Sequence, residues 1–377
     1  MNRSKRTITI CVIYGTRPEV IKLAPVIAQL RKSPFKTTVV HTGQHHTLTN
    51  DLTNDFGLEP VIQLQGDENE GAEPTSRRSD IGQVIGLMGR VSRFLDDHLP
   101  DLVLVQGDTA SALAGAMAAH YLKIPVAHLE AGLRSHDRTQ PFPEETNRVL
   151  ISHLADLHFA PTSSAAEQLI REQIDPTTVH VTGNSVVDAL QSILQRTTIT
   201  KSDIRRTYDA EGKLVILTTH RRENLGDPQR RIVQAVAELA RRHSELLVLW
   251  PVHPNPAIRA VLDSLDLPAN FRTMPPLGYI DFLPLLQASD LVLTDSGGIQ
   301  EEAPALGVPV VILREKTERP EVIEAGYGVL AGSDPKAILD GAERFLAPGA
   351  PEKATSLYGD GTTSEQVVHL LSTYFGL

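Results

Sequence analysis

Three carboxylates are set where chemistry is usually done. Asp108 follows the apolar run 102–105 in Gln106-Gly107-Asp108-Thr109, and Glu130 ends the next run in His128-Leu129-Glu130-Ala131-Gly132. Glu144 opens a helical stretch, Pro143-Glu144-Glu145-Thr146-Asn147-Arg148. Carboxylates at one mouth can divide acid and base duties when their surroundings separate their pKa values. A metal role has less support, because no H-x-x-x-H or D-x-D ligand spacing accompanies them. Taken singly, Asp108 and Glu144 read equally well as a helix cap and a first-turn charge. The coincidence of three is what points to catalysis.

Other stretches suit an anion. Asp295-Ser296-Gly297-Gly298-Ile299-Gln300-Glu301-Glu302 follows the run 291–293. Gly297 and Gly298 at a strand-to-helix turn let backbone N–H groups approach a phosphate. Ser296 adds a hydroxyl, and Glu302 could accept from ribose hydroxyls. Tyr14-Gly15-Thr16-Arg17-Pro18-Glu19 follows the first run, with Pro18 suited to a first helical turn and Arg17 to a phosphate. Lys22 could add charge there. Neither stretch is a Walker loop or a G-x-G-x-x-G fingerprint, so ATP and NAD lose support. His220, in Thr218-Thr219-His220-Arg221-Arg222-Glu223-Asn224, could donate to a leaving phosphate oxygen or pass a proton. His253 is expected only to shape a turn.

These loops need strands and helices to position them. Short runs rich in Val, Ile and Leu lie at 8–13, 37–42, 102–105, 126–129, 157–160, 214–217, 246–250, 291–293 and 308–313. They suit parallel strands buried on both faces. Helical spacing fills 19–31, 108–121, 228–243 and 299–306 between them, so the fold class is α/β with parallel sheets. The first series ends near 179–181, the stretch 195–212 is polar, and a second series starts at Leu214. Two doubly wound domains are expected, 1–180 and 181–363, with ligands outside the strands' carboxyl ends in a cleft between them. A terminal helix over 364–377 is expected to dock on a domain, and 65–80 to be an exposed loop.

The 377 residues carry 36 Lys+Arg against 46 Asp+Glu, a net charge of −10, which disfavours a general nucleic-acid binder. Hydrophobic residues make up 41%, enough for two cores. The single cysteine, Cys11, excludes an intramolecular disulfide framework and a Cys-based zinc cage. No apolar stretch approaches the roughly 18–20 residues that span a bilayer. The N-terminus lacks the long apolar core of a signal peptide, so a cytoplasmic protein is expected.

In order along the chain, these motifs resemble the non-hydrolysing bacterial UDP-N-acetylglucosamine 2-epimerases. The resemblance is carried by 15–19 with Lys22, Thr42-Gly43-Gln44-His45, Gly107-Asp108-Thr109 and Glu130-Ala131-Gly132-Leu133-Arg134. It continues through 143–148, Thr182-Gly183-Asn184, 220–224, 296–302 and Arg319, and so covers about residues 8 to 332. It implies two Rossmann-like domains of the glycosyltransferase-B type, with the last helix returning to the first domain. It also implies a homodimer, no cofactor, no metal, and reversible inversion at C2 of UDP-GlcNAc to UDP-ManNAc. UDP would leave to give 2-acetamidoglucal and then add back. By resemblance Asp108, Glu130, Glu144 and His220 are catalytic. Arg17, Lys22, Ser296, Gly297, Gly298 and Arg319 would hold the diphosphate, Glu302 the ribose, and Phe282 would lie near uracil.

Gln44, His45 and Arg221 match a site for a second, activating UDP-GlcNAc. The chain departs from that pattern at Thr47, where a longer polar side chain is common, and across 65–80. The rivals are a hydrolysing epimerase releasing UDP and ManNAc, a glycosyltransferase of the same fold, and a non-catalytic nucleotide-sugar binder.

Overall fold

The computed structural model describes residues 6–44, 46–64 and 77–377. The chain divides into two units, Met1–Ala189 with Gly359–Leu377, and Leu190–Tyr358. Each is a parallel sheet with helices on its faces, which is the expected fold class.

The first unit holds seven strands: β1 (Thr9–Tyr14), β2 (Lys36–His41), β3 (Ile62–Gln63), β4 (Leu102–Gln106), β5 (Val126–Leu129), β6 (Leu157–Ala160) and β7 (Val179–Val181). Their order is β3-β2-β1-β4-β5-β6-β7, parallel throughout. The chain starts in the middle, builds to one edge, then returns past β1 to build the other. Such a reversal places the loops after β1 and β4 side by side, the usual ligand position in open α/β sheets. The last helix, Thr363–Tyr374, packs on the helix Arg17–Arg31 of this unit. Its start is fastened by Asp188, whose Oδ1 accepts from the Ser364 backbone N–H (2.7 Å) and hydroxyl (2.6 Å).

The second unit repeats the scheme with β8 (Leu214–Thr218), β9 (Leu247–Pro251), β10 (Phe271–Met274), β11 (Leu291–Thr294), β12 (Val310–Ile312) and β13 (Gly328–Leu330). The order is β10-β9-β8-β11-β12-β13. Alternate side chains of one strand enter different cores. Val215 and Leu217 of β8 join Trp250 and Phe345 on one face, while Leu214 and Ile216 join Leu285 and Val322 on the other. Both faces are covered, so the strands read as continuous apolar runs.

The sequence reading overlooked β3, β10 and β13. All three are outermost strands, and their exposed side carries no apolar run: Ile62 is 40% exposed. It also passed over the helix Lys201–Thr207 inside the polar stretch 195–212. That helix is started by a capping box, Thr200 with Asp203, rather than by an apolar stripe. Most of the loop expected at 65–80 lies outside the described residues.

Candidate functional site

In the first unit the charged groups gather at the carboxyl ends of β1, β4 and β5, three adjacent strands. Glu130 follows β5 with φ +65°, a left-handed conformation that costs a side-chain-bearing residue about 1–3 kcal/mol. Its buried carboxylate accepts from the Lys22 ammonium, the Gln106 amide and Asn184 Nδ2 (3.2 Å). Asp108 is held differently. Arg148 donates through Nε (2.9 Å) and Nη2 to the same oxygen, Oδ2. Oδ1 accepts from no described residue, and the side chain is 25% exposed. Arg148 also meets Glu145 (3.3 Å), whose oxygens accept from the Ser135 and His136 N–H groups, both at 2.9 Å. The two carboxylates flank Gly107, where an added Cβ would lie 3.6 Å from Glu130 Oε2. Asn147 steadies the Asp108 peptide by donating to its carbonyl (2.9 Å). Glu144 is half-buried in the first turn of the helix Glu144–Leu154. It lies three and four residues before Asn147 and Arg148, on the helix face that reaches Asp108.

His128 supports this corner from below. Its Nε2–H donates to the Gly107 carbonyl (2.7 Å), and complete burial pushes the imidazole down to about 3. Folding therefore keeps it neutral. Its contribution to stability is fully present above pH 6.5 and is lost as pH falls toward 3. His128→Gln is expected to flatten that loss, which is on the order of a few kcal/mol across the window. Urea unfolding midpoints of both proteins at pH 7, 5.5 and 4 check this; a wild-type-like pH dependence in the variant refutes it.

In the second unit the loops after β8 and β11 meet at one buried carboxylate, Asp295. It accepts from the backbone N–H groups of His220 and Arg221 (3.1 and 3.0 Å) and from Asn224 Nδ2 (3.0 Å). His220 Nδ1 donates to it as well (3.1 Å), which fixes the tautomer and presents Nε2 elsewhere. Burial opposes the Asp295 charge, but the donors from His220, Arg221 and Asn224 outweigh it and hold the carboxyl below its ordinary range. Beneath the Gly297-Gly298 turn lies Arg319. It is buried, donates to Glu301 Oε1 (2.7 Å) and pairs with Glu318. Glu302 is buried and accepts from the Tyr279 hydroxyl (3.0 Å).

The sequence model of the UDP-N-acetylglucosamine 2-epimerase family matches residues 28–372. The chain belongs to the UDP-N-acetylglucosamine 2-epimerase family. The UDP-N-acetylglucosamine 2-epimerase of Bacillus subtilis (strain 168) is 38% identical, over 98% of this chain and 97% of its own. The crystal structure of the Neisseria meningitidis UDP-GlcNAc 2-epimerase bound to UDP-GlcNAc superposes with a TM-score of 0.87 at 34% identity, covering 97% of this chain and 100% of that one. That of the Methanocaldococcus jannaschii enzyme, in complex with UDP-GlcNAc and UDP, gives 0.83 at 34%, covering 97% and 99%.

The epimerase fold separates the anticipated residues into two groups. Asp108, Glu130, Glu144, Arg17, Lys22 and Gln44 lie in the first unit, and His220, Arg221, Phe282, Ser296, Gly297, Gly298, Glu302 and Arg319 in the second. Arg17 is exposed at the start of its helix. Lys22, expected to add charge beside it, is buried on Glu130 instead; five residues along a helix turn the side chain well away from Arg17. Arg319 likewise faces two carboxylates of its own unit. Phe282 is half-buried against the core on the β8 and β11 face. Gln44 Oε1 accepts from the Ser111 N–H (3.1 Å) and hydroxyl (2.6 Å). His45, the side chain of Thr47 and residues 65–76 lie outside the described residues.

Sequence reasoning gave no role to Arg148, Asp295, Asn184 or Tyr279. The first three stand inside the motifs given above, whereas Tyr279 lies in none of them. Asp295 and Asn184 are polar residues just past a strand, Arg148 and Tyr279 polar residues on a helix, and nothing local says which carboxylate or imidazole each will meet.

Proposed function

We propose that this enzyme interconverts UDP-GlcNAc and UDP-ManNAc without hydrolysis, by elimination and re-addition of UDP. The observation that carries the reading is the Asp108/Glu130 pair: two carboxylates on adjacent strand ends, each fixed by a different cation. Inverting C2 requires one group to remove a proton and another to deliver one to the opposite face. The C2 proton is not next to a carbonyl, so departure of UDP from C1 must acidify it. The C1–O bond to UDP and the C2–H bond break, giving 2-acetamidoglucal, UDP and a protonated carboxyl. A second acid then protonates C2 from the other face as UDP rejoins C1. Asp108, Glu130 and Glu144 are assigned to these transfers and to positioning.

The second unit is assigned to the nucleotide. Ser296, Gly297 and Gly298 would take the diphosphate, His220 Nε2 the leaving oxygen, and Glu302 the ribose. Arg17 is also assigned to the diphosphate. Lys22 and Arg319 act one step back, Lys22 on Glu130 and Arg319 as the floor of the glycine turn. The similarity to epimerases named for UDP-GlcNAc supports the substrate, and family membership supports a cytoplasmic homodimer. Gln44, His45 and Arg221 are assigned to a second UDP-GlcNAc. An activator there makes the rate sigmoidal in UDP-GlcNAc, and a simple hyperbola removes this part of the reading.

The test is incubation with UDP-GlcNAc in D2O, without added metal or NAD, followed by proton NMR. UDP-ManNAc carrying deuterium at C2 is expected. Free ManNAc with UDP establishes hydrolysis instead, and unchanged substrate overturns the reading. Gly297→Ala checks the nucleotide site. The new Cβ would lie 2.9 Å from Arg319 Nη1, and Arg319 is anchored at two carboxylates and cannot yield freely. UDP affinity by calorimetry is expected to fall about tenfold, roughly 1.4 kcal/mol. Unchanged affinity would detach this turn from the nucleotide.

A further inference from the structure

We propose that Glu19 is a positioning residue of the reaction: its carboxylate ties the turn carrying Arg17 to the turn carrying Asp108. The inference rests on the epimerase reading above and concerns a residue that touches neither substrate nor proton.

Glu19 lies in the first turn of the helix Arg17–Arg31 and is completely buried. Oε2 accepts from the backbone N–H groups of Gly15 (3.1 Å) and Thr16 (2.8 Å), at the end of β1. Oε1 accepts from the Thr109 hydroxyl (2.9 Å), next to Asp108 at the end of β4. Thr109 in turn caps the helix Ala110–Tyr121 by accepting from the Ala112 N–H (3.0 Å). One carboxylate thus spans two strand ends, 90 residues apart in sequence.

The surroundings leave little slack. A Cβ at Gly15 would lie 2.1 Å from Ser111 Oγ and 2.3 Å from Thr42 Oγ1. Those two hydroxyls are themselves bonded (2.7 Å), and Gln44 Oε1 joins Ser111. The ends of β1, β2 and β4 are therefore laced together by side chains. Glu19 is the charged link, and among the described residues no cation pairs with it. Burial pushes its carboxyl up to about 7, against the hydrogen bonds from Thr16, Thr109 and Gly15.

A glutamate that serves only as a helix cap works as well at a solvated first turn, where its charge is not penalised. Here the charge is buried at a cost to stability. What the arrangement secures is the placement of Asp108 relative to Arg17, and misplacement of a reacting group by about 1 Å can cost 10²-fold in rate. Sites of this kind give up stability for geometry.

The test compares the full-length wild type with Glu19→Gln, Thr109→Val, the double variant and Thr109→Ser. Each is assayed for kcat and KM in UDP-ManNAc formation, for UDP affinity and for Tm at pH 8. Glu19→Gln and Thr109→Val are each expected to lower kcat by about 10²-fold with KM and UDP affinity within about threefold. The double variant should be no slower than the slower single one, because both changes act on the one Glu19–Thr109 link, in which glutamine replaces the acceptor Oε1 by a donor. Thr109→Ser, which keeps the hydroxyl, should recover most of the Thr109→Val loss. Glu19→Gln should keep or raise Tm, since no charge then has to be buried.

A kcat for Glu19→Gln within about threefold of wild type overturns the proposal. So do losses in UDP affinity and Tm that parallel the loss in kcat, or single-variant losses that multiply in the double variant. An inactive wild type overturns the epimerase reading and this inference together, whereas an active wild type with unmoved variants overturns this inference alone.

Discussion

Asp108→Asn is expected to lower kcat by about 10²–10⁴-fold, the usual worth of a positioned acid or base, while UDP affinity stays within about twofold. The geometry explains why so small a change has so large an effect. Arg148 directs two donors at Oδ2, so an amide at this position must turn its carbonyl oxygen toward the guanidinium. Its NH2 then occupies the place of Oδ1, the oxygen that accepts from no described residue. A group able to take or return a proton becomes one that can only donate a hydrogen bond. The fold should survive, because Arg148 keeps Glu145 at 3.3 Å and the Asp108 carbonyl keeps Asn147. The nucleotide should still bind, because the residues assigned to it, Arg17 apart, lie in the second unit. Deuterium incorporation at C2, followed by NMR, separates the proton-transfer step from binding. Epimerisation in the variant within tenfold of wild type would remove Asp108 from the mechanism.

How much of this could be read from the sequence follows from the architecture. Strands buried on both faces announce themselves as runs of Val, Ile and Leu, and β1, β4, β8 and β11 were visible for that reason. The edge strand β10, Phe-Arg-Thr-Met, buries only one of its four residues fully and so resembles a loop. Residue types at strand ends were also legible, because a parallel sheet delivers its functional groups there. What each group would meet was not. Lys22 reaches Glu130 across 108 positions, and Asn224 reaches Asp295 across 71. Those meetings are set by strand order, which runs β1-β4-β5 in one sheet and places β8 beside β11 in the other, and no local pattern encodes it. Arg319 shows the same limit at short range. An arginine near a glycine turn can face a phosphate or a neighbouring carboxylate, and the choice here depends on Glu301 and Glu318 being buried with it.

Asp295→Ala is expected to be the most damaging change in the second unit. Four donors converge on this carboxylate: two backbone N–H groups, the Asn224 amide and His220 Nδ1. Alanine leaves them without their acceptor at a site with no exposure, and removing one partner of such a buried charged cluster costs about 3–5 kcal/mol. The loop 219–224 should lose its fixed shape, and UDP affinity should fall with it. Asp295→Asn separates the two roles of the carboxylate. An asparagine carbonyl can still accept from the backbone N–H groups, so the loop and the UDP affinity should largely persist. It no longer provides the negative charge that stabilises an imidazolium, and its NH2 can face His220 Nδ1 and reverse the tautomer. The proton would then sit on Nδ1's partner, Nε2, at the wrong stage of the reaction. A loss of about 10²–10⁴-fold in kcat with modest change in Tm is the expected result for Asp295→Asn. Thermal unfolding, UDP calorimetry and kcat for both variants decide the matter. If the asparagine variant turns over like wild type while the alanine variant fails, Asp295 serves the shape of the loop alone and His220 does not depend on it for proton transfer.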